Sequence, residues 1–349
     1  MLSQRRFHIC KMTELAIEQF IEKAGSMPVI DVRSPGEYGH AHIPGALSLP
    51  LFTDDERAEV GTIYTKKGKV ESVRRGLEIV GLKLSNFVDF ALSLKSKELL
   101  LHCWRGGMRS SSMAWLFETI DIKCYTLAGG YKSYRNYILD SFEAPIKIVL
   151  LGGYTGSGKT EILHILKEQG EQVIDLEGLA NHKGSAFGAI GQDPQPSTEY
   201  FENLIGHHLG KFDKTKNIWF EDESRNVGKS LIPASLWEQM RQAPLTRLDV
   251  PFDVRLSRLM QDYGSHSPEA LIASILKIEK RLGFDKCKVA VEACSSGNIT
   301  QAAAICLQYY DKAYENLLSQ RTSPYGRITE EVVTPQDIAK KLLAITKAI

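Results

Sequence analysis

The sequence predicts an α/β protein made of two successive strand–helix units and a helical C-terminal region. Three observations predict it. Short apolar runs alternate with helix-period segments, the pattern of parallel strands joined by crossover helices. Two of these runs lead straight into glycine-bearing turns, and from Ser267 onward the apolar spacing is helical throughout. The length, 349 residues, suits two or three domains at about 100–200 residues each.

In chain order, Leu15, Ile17, Phe20 and Ile21 give residues 13–25 a short amphipathic helix, with Thr13 as N-cap and Gly25 as stop. Residues 28–32 and 98–102 are apolar runs that predict buried strands, and 110–119 predicts a helix. Residues 123–127 are a further strand, and 142–145 (Phe-Glu-Ala-Pro) a linker. The second unit opens with a strongly apolar strand at 146–151. Strands at 172–175, 217–220 and 247–250 alternate with helices at 159–169, 198–211 and 253–263. Helical periodicity then covers 270–282, 299–318 and 335–346. The expected domains are 1–141, 146–264 and 265–349.

Hydrophobic residues make up 43% and charged residues 24%, which excludes a disordered or collagen-like chain. With 43 Lys plus Arg against 42 Asp plus Glu, net charge names no partner, and any nucleic-acid contact must come from a local patch. No stretch approaches the roughly 18 apolar residues a membrane helix needs. The first residues, MLSQRRFHICKMTEL, lack the apolar core of a signal peptide, so a cytoplasmic location is expected. The six cysteines form no CxxC pair, so neither a disulfide framework nor a zinc site is expected, and no other metal cluster stands out.

Cys103 directly follows an apolar strand and precedes a helix, at the sheet edge where α/β folds collect ligands. The run Cys103-Trp104-Arg105-Gly106-Gly107-Met108-Arg109-Ser110 supplies what a thiolate requires. Gly106 and Gly107 let backbone N–H groups curl toward the sulfur, and Arg105 and Arg109 add positive charge. The following helix turns its positive end to the loop. Cys10, Cys124, Cys287, Cys294 and Cys306 have no such setting and read as packing residues.

Here the chain resembles the rhodanese (sulfurtransferase) family. Asp31-Val-Arg-Ser-Pro-Gly-Glu37-Tyr38, His42-Ile-Pro-Gly-Ala46 and Leu127-Ala-Gly-Gly130-Tyr131 carry the resemblance, which covers about residues 13–138. It implies a rhodanese-like N-terminal domain in which Cys103 carries a terminal sulfur or selenium atom. One departure stands out. Five residues separate Cys103 from Arg109, where the ordinary sulfurtransferase loop has four, and a longer loop suits a tetrahedral anion such as phosphate or selenophosphate. Trp104, Arg105, Gly106, Gly107 and Arg109 are the expected oxyanion-binding set.

Gly153-Tyr-Thr-Gly156-Ser157-Gly158-Lys159-Thr160 matches the phosphate-loop pattern between a strand and a helix. The glycines let N–H groups converge on a diphosphate, Lys159 adds a point charge, and Thr160 suits Mg²⁺. Nothing in the motif reads a base, so ATP as ligand stays open. Glu221 and Asp222, at the end of an apolar strand, are the candidate Mg²⁺-side acids, unranked and with Glu223 beside them. Lys66, Lys67, Lys69, Arg74 and Arg75 form the densest basic cluster, either a solvated face or the best candidate for contact with a nucleic-acid phosphate backbone. The polar loop 182–188 is either a substrate contact or a surface loop, and Tyr309, Tyr310 and Tyr314 either stack on bases or pack in a core.

A reactive-cysteine unit joined to a phosphate-loop unit and a helical tail resembles the tRNA 2-selenouridine synthase family. The residues that carry this are the Cys103 loop, Gly153 to Thr160, His182 to Gly188, and Glu221-Asp-Glu-Ser-Arg-Asn-Val-Gly228. The resemblance implies exchange of sulfur for selenium in the 2-thiouridine at position 34 of tRNA. It further implies S-geranylation from geranyl diphosphate, selenium from selenophosphate, and an enzyme partner that supplies selenophosphate. Two rival readings stand beside it. One is an ATP-dependent tRNA sulfurtransferase, the other a phosphatase-like regulatory fusion with a nucleotide switch.

Overall fold

The computed structural model describes residues 13–321, 325–329 and 334–346; Cys10 lies outside them. The chain divides into two compact units, Met1–Asp140 and Ser141–Ile349.

The first unit runs β1 (Thr13–Leu15), α1 (Ile17–Ala24), β2 (Val29–Asp31), α2 (Pro35–His40), β3 (Leu47–Ser48), α3 (Asp54–Lys67), α4 (Lys69–Gly81), α5 (Leu84–Ser93), β4 (Glu98–His102), α6 (Met108–Glu118), β5 (Lys123–Leu127) and α7 (Gly130–Ser141). Its sheet is parallel in the order β1-β5-β4-β2-β3. Leu99, Leu100 and Leu101 are wholly buried, which is why β4 reads as a continuous apolar run rather than an alternating one. One expectation is corrected here. Residues 13–15 are a strand beside β5, not the first turn of a helix, so Thr13 is no N-cap. Leu15 is buried by that sheet pairing.

The second unit runs β6 (Ile148–Gly153), α8 (Lys159–Glu168), β7 (Gln172–Ile174), α9 (Leu176–Ala180), α10 (Thr198–Leu209), β8 (Ile218–Glu221), β9 (Asn226–Val227), β10 (Ser230–Leu231), α11 (Ala234–Gln242), β11 (Leu245–Asp249) and α12 (Phe252–Tyr263). It continues with α13 (Pro268–Lys277), α14 (Glu279–Leu282), α15 (Phe284–Ser295), α16 (Ile299–Ser319), β12 (Tyr325–Thr329) and α17 (Pro335–Thr346). Its main sheet is parallel in the order β12-β11-β6-β8-β7, so the strand carrying the phosphate loop is central. Among the described residues of the C-terminal region the elements are helices except for β12, which returns to the sheet edge beside β11. Residues 142–145 are fastened to this unit. Gln239 donates to the Phe142 carbonyl and accepts from the Ile146 N–H, both at 2.9 Å. Among the described residues no helix is long and apolar enough to cross a membrane.

Candidate functional site

In the first unit, β4 delivers Cys103 to the carboxyl edge of the sheet and α6 begins five residues later. The side chain is buried, and its Sγ accepts hydrogen bonds from the Gly107 N–H at 3.2 Å and the Ser110 hydroxyl at 3.3 Å. Burial alone pushes this thiol up. The Ser110 hydroxyl and N–H, the Gly107 N–H and the Arg109 charge together outweigh it, and the thiol ends below its ordinary value. The contrast with the other cysteines is chemical. Burial raises Cys287 and Cys294 and pushes Cys306 up to about 12, so those thiols stay protonated.

The loop keeps its shape because another segment braces it. Tyr131 N–H donates to the Cys103 carbonyl at 2.8 Å and Lys132 N–H to the Trp104 carbonyl at 3.0 Å. Gly130 sits at φ 61°, and a Cβ there would collide with the Cys103 carbonyl and the Gly106 N–H. Beneath it, the buried Arg33 is clamped by Asp31 at 2.6 Å and lies 3.8 Å from the centre of the Tyr131 ring. Gly107 is different: a Cβ there would meet nothing within 4 Å, so that side of the loop is open. Trp104 and Arg105 stand at the surface. Arg109 is tied by a 2.8 Å ion pair to Glu37, which also accepts from the Ser34 N–H. The sequence reading placed Glu37 in a motif but missed that it orients Arg109, and it missed Ser110 as a thiolate donor.

In the second unit the loop between β6 and α8 holds Gly153, Gly156, Ser157 and Gly158, with Lys159 and Thr160 opening the helix. Lys159 Nζ donates to the Gly153 carbonyl at 3.2 Å, and Gly153 N–H donates to the Tyr314 hydroxyl at 2.9 Å. The structure separates the two candidate acids. Glu221 is fully buried and lies 2.7 Å from Thr160 Oγ1. Asp222 turns away, accepting from the Tyr314 hydroxyl at 3.0 Å and pairing with Arg321 at 3.1 Å.

Glu177, which sequence reasoning missed, joins Glu221 from α9, with Oε2 3.3 Å from Thr160 Oγ1. Nothing in the sequence around it forms a motif; the tertiary fold brings it there, its N–H 3.3 Å from the Glu221 carboxylate. Burial, with Glu223 adding, pushes Glu177 up to about 8. Burial, with Glu177 adding, pushes Glu221 up to about 8, and burial takes Glu223 up to about 7. A hydroxyl beside buried carboxylates is an oxygen donor set that suits Mg²⁺, which takes one or two carboxylates with waters and substrate phosphates. Among the described residues no group of three or more side chains is placed to hold a metal alone.

A cavity of about 980 Å³ opens above this loop, walled by Gly158, Lys159, Glu177, Arg258 and Tyr310 among others. The loop 182–188 forms part of its wall: Ser185 lines it, and Ala186 N–H donates to the Tyr310 hydroxyl at 2.8 Å. A narrow second pocket shares Thr155, Ser185, Leu259, Tyr263 and Tyr310 with the cavity and is otherwise lined by Phe187 and by apolar side chains of α12, α13, α15 and α16. Tyr310 and Tyr314 are thus cavity-wall residues whose hydroxyls bond to the protein. Of the basic cluster, Lys66, Lys67 and Lys69 are exposed on α3 and α4. Arg75 instead pairs with Glu59 at 2.7 Å, and Arg74 with Glu78 at 3.8 Å.

Comparison with known proteins agrees with this two-part arrangement. The profile of the rhodanese-like domain matches residues 16–137, and that of the tRNA 2-selenouridine synthase AAA domain matches 146–331. The tRNA 2-selenouridine synthase of Shewanella frigidimarina is 39% identical over 75% of this chain and 71% of its own. That of Sulfurovum sp. is 32% identical over 85% and 90%, and that of Bdellovibrio bacteriovorus 35% over 91% and 81%. By domain content, site residues and these matches, the chain belongs to the tRNA 2-selenouridine synthase family.

Proposed function

We propose that the chain is a transferase that converts 2-thiouridine at position 34 of tRNA to 2-selenouridine through an S-geranyl intermediate. The thiouridine sulfur attacks the first carbon of geranyl diphosphate, and the diphosphate leaves with the bonding electron pair. The alkylated sulfur is then a good leaving group: the selenium of selenophosphate attacks carbon 2 of the base, geranylthiolate departs with the carbon–sulfur electron pair, and water cleaves the selenium–phosphorus bond to release phosphate and leave 2-selenouridine. Lys159 and the loop N–H groups hold the diphosphate; Thr160, with Glu221 and Glu177 beside it, would hold Mg²⁺, which would supply further positive charge. Cys103 takes part in selenium delivery, with Arg109 toward the phosphoryl oxygens. The exposed Lys66, Lys67 and Lys69 are the better-placed candidates for tRNA backbone contact, since Arg74 and Arg75 already face acids.

The observation that carries geranyl diphosphate over ATP is the apolar pocket that shares a wall with the phosphate-loop cavity. A diphosphate on the loop sets an attached hydrocarbon chain toward that pocket, whose lining beyond Thr155, Ser185, Tyr263 and Tyr310 is apolar. The test is a binding series with geranyl diphosphate, inorganic pyrophosphate, ATP and GTP, each with Mg²⁺, on wild type and Lys159→Ala. Each buried methylene contributes about 0.8 kcal/mol, so geranyl diphosphate is expected to bind far more tightly than pyrophosphate. At one hundred times Kd it raises stability by about 2.7 kcal/mol, a shift of several degrees in Tm. Tight binding of ATP with none of geranyl diphosphate would overturn this and favour the ATP-dependent sulfurtransferase.

A further inference from the structure

Helix α12 carries two arginines one turn apart in very different surroundings. Arg255 is buried and fully engaged. It pairs with both oxygens of Asp311 at 2.7 and 2.8 Å and donates to the Thr155 carbonyl at 3.2 Å and the Val250 carbonyl at 3.1 Å. It is a strut that fastens the phosphate loop to α12 and α16. Arg258 is half-buried in the cavity wall, and no described residue gives it a hydrogen bond or an ion pair.

Its guanidinium lies directly over Gly158. A Cβ on that glycine would collide with Nη1 and stand 3.1 Å from Cζ. Gly158 is at φ 82° and is the N-cap of α8, the point where the loop N–H groups and the helix N-terminus favour an anion. Lys159 points its Nζ at the same loop. A partly desolvated guanidinium without a counter-charge is costly, so the fold holds a cation over the phosphate cradle with nothing of its own to neutralise it. The two cations also differ in kind. Lysine offers a point charge, whereas the planar guanidinium fork can bridge two phosphate oxygens.

We propose that Arg258 is a catalytic residue: its guanidinium contacts the bound diphosphate alongside Lys159 and stabilises the negative charge that gathers on it as it leaves. The contact is to the diphosphate itself, so it holds for a prenyl diphosphate or a nucleotide alike and does not depend on which one binds. In the transfer step the carbon–oxygen bond breaks toward oxygen, and Arg258 meets the charge so created.

The experiment is calorimetric titration of wild type, Arg258→Ala and Arg258→Lys with inorganic pyrophosphate, geranyl diphosphate and ATP, each with Mg²⁺, together with unliganded Tm. Arg258→Ala is expected to weaken pyrophosphate binding about ten- to a hundredfold, the usual worth of a charged hydrogen bond. Arg258→Lys should recover part of that, and the unliganded Tm should stay at the wild-type value because the fold uses no contact of this side chain. An equal loss with geranyl diphosphate supports both the residue and the prenyl reading. A loss with ATP in a protein that ignores geranyl diphosphate supports Arg258 while overturning the prenyl reading. Pyrophosphate affinity unchanged in Arg258→Ala overturns the proposal, and so does a fall in unliganded Tm in both variants with affinity unchanged in Arg258→Lys, which would make the residue a strut like Arg255.

Discussion

Replacing Ser110 by alanine removes the hydroxyl donor to the Cys103 sulfur, at 3.3 Å, and leaves the Ser110 N–H and the Gly107 N–H, the latter at 3.2 Å. A hydrogen bond to a charged group is worth about 1.5–3 kcal/mol, and one pKa unit corresponds to about 1.36 kcal/mol. Full loss would therefore raise the thiol by about one to two units. The Ser110 hydroxyl has a single proton, however, and the Gly107 carbonyl competes for it at 3.1 Å. That division puts the expected rise at the lower end, about one unit. The assay is the pH dependence of thiolate absorbance in the ultraviolet, with Cys103→Ser subtracted to isolate this sulfur. Deprotonation favoured in wild type is lost as a proton is bound, so the midpoint must move to higher pH in Ser110→Ala. Alkylation by iodoacetamide at Cys103, read by mass spectrometry, should slow at neutral pH by about the same tenfold while Cys306 stays unreactive in both proteins. An unmoved midpoint would refute the claim that side-chain and backbone donors, rather than Arg109 alone, hold the thiolate.

Cys103→Ser should abolish selenation while S-geranyl-2-thiouridine accumulates in tRNA, because the thiolate and the phosphate loop lie in separate units; loss of both products from a folded protein would contradict that. Gly130→Ala should destabilise the first unit by more than about 2 kcal/mol in a denaturant titration, since a left-handed alanine costs about 1–2 kcal/mol before its collision with the Cys103 loop is added. Lys159→Ala should lower kcat for geranyl transfer more than it raises KM, because charge on the leaving diphosphate grows in the transition state. Deleting Gly107, which shortens the Cys103 loop to the ordinary sulfurtransferase length, should weaken use of selenophosphate. Unchanged selenation in that deletion would make the loop length incidental.

What could be read from the residues was what repeats or what chemistry constrains. The buried strand at 98–102 and the phosphate loop declare themselves because burial on both faces leaves a continuous apolar run, Leu99 to Leu101, and because a diphosphate cradle demands glycine. Helix α3 was not legible: it buries no side chain, so it has no apolar stripe to find. The strand at Thr13–Leu15 was masked because Leu15 also fits the helical spacing of the residues after it. At the sites, residues within a motif were found and residues brought in by the fold were not. Glu177 and Arg258 reach the phosphate loop from α9 and α12, and their positions depend on packing that no local pattern encodes; Tyr314, legible as an aromatic candidate, turns out to bond the loop from α16. Between Glu221 and Asp222 only the structure decides, because adjacent strand residues face opposite sides, one toward Thr160 and the other toward Arg321.

The two-stage claim is tested most directly by nucleoside mass spectrometry of tRNA carrying 2-thiouridine, after incubation of the purified protein with geranyl diphosphate alone and then with selenophosphate added. The account predicts S-geranyl-2-thiouridine in the first incubation and its replacement by 2-selenouridine in the second, with Lys159→Ala stopped before the first product and Cys103→Ser stopped after it. Formation of 2-selenouridine without geranyl diphosphate, or a first stage that runs on ATP instead, would contradict it.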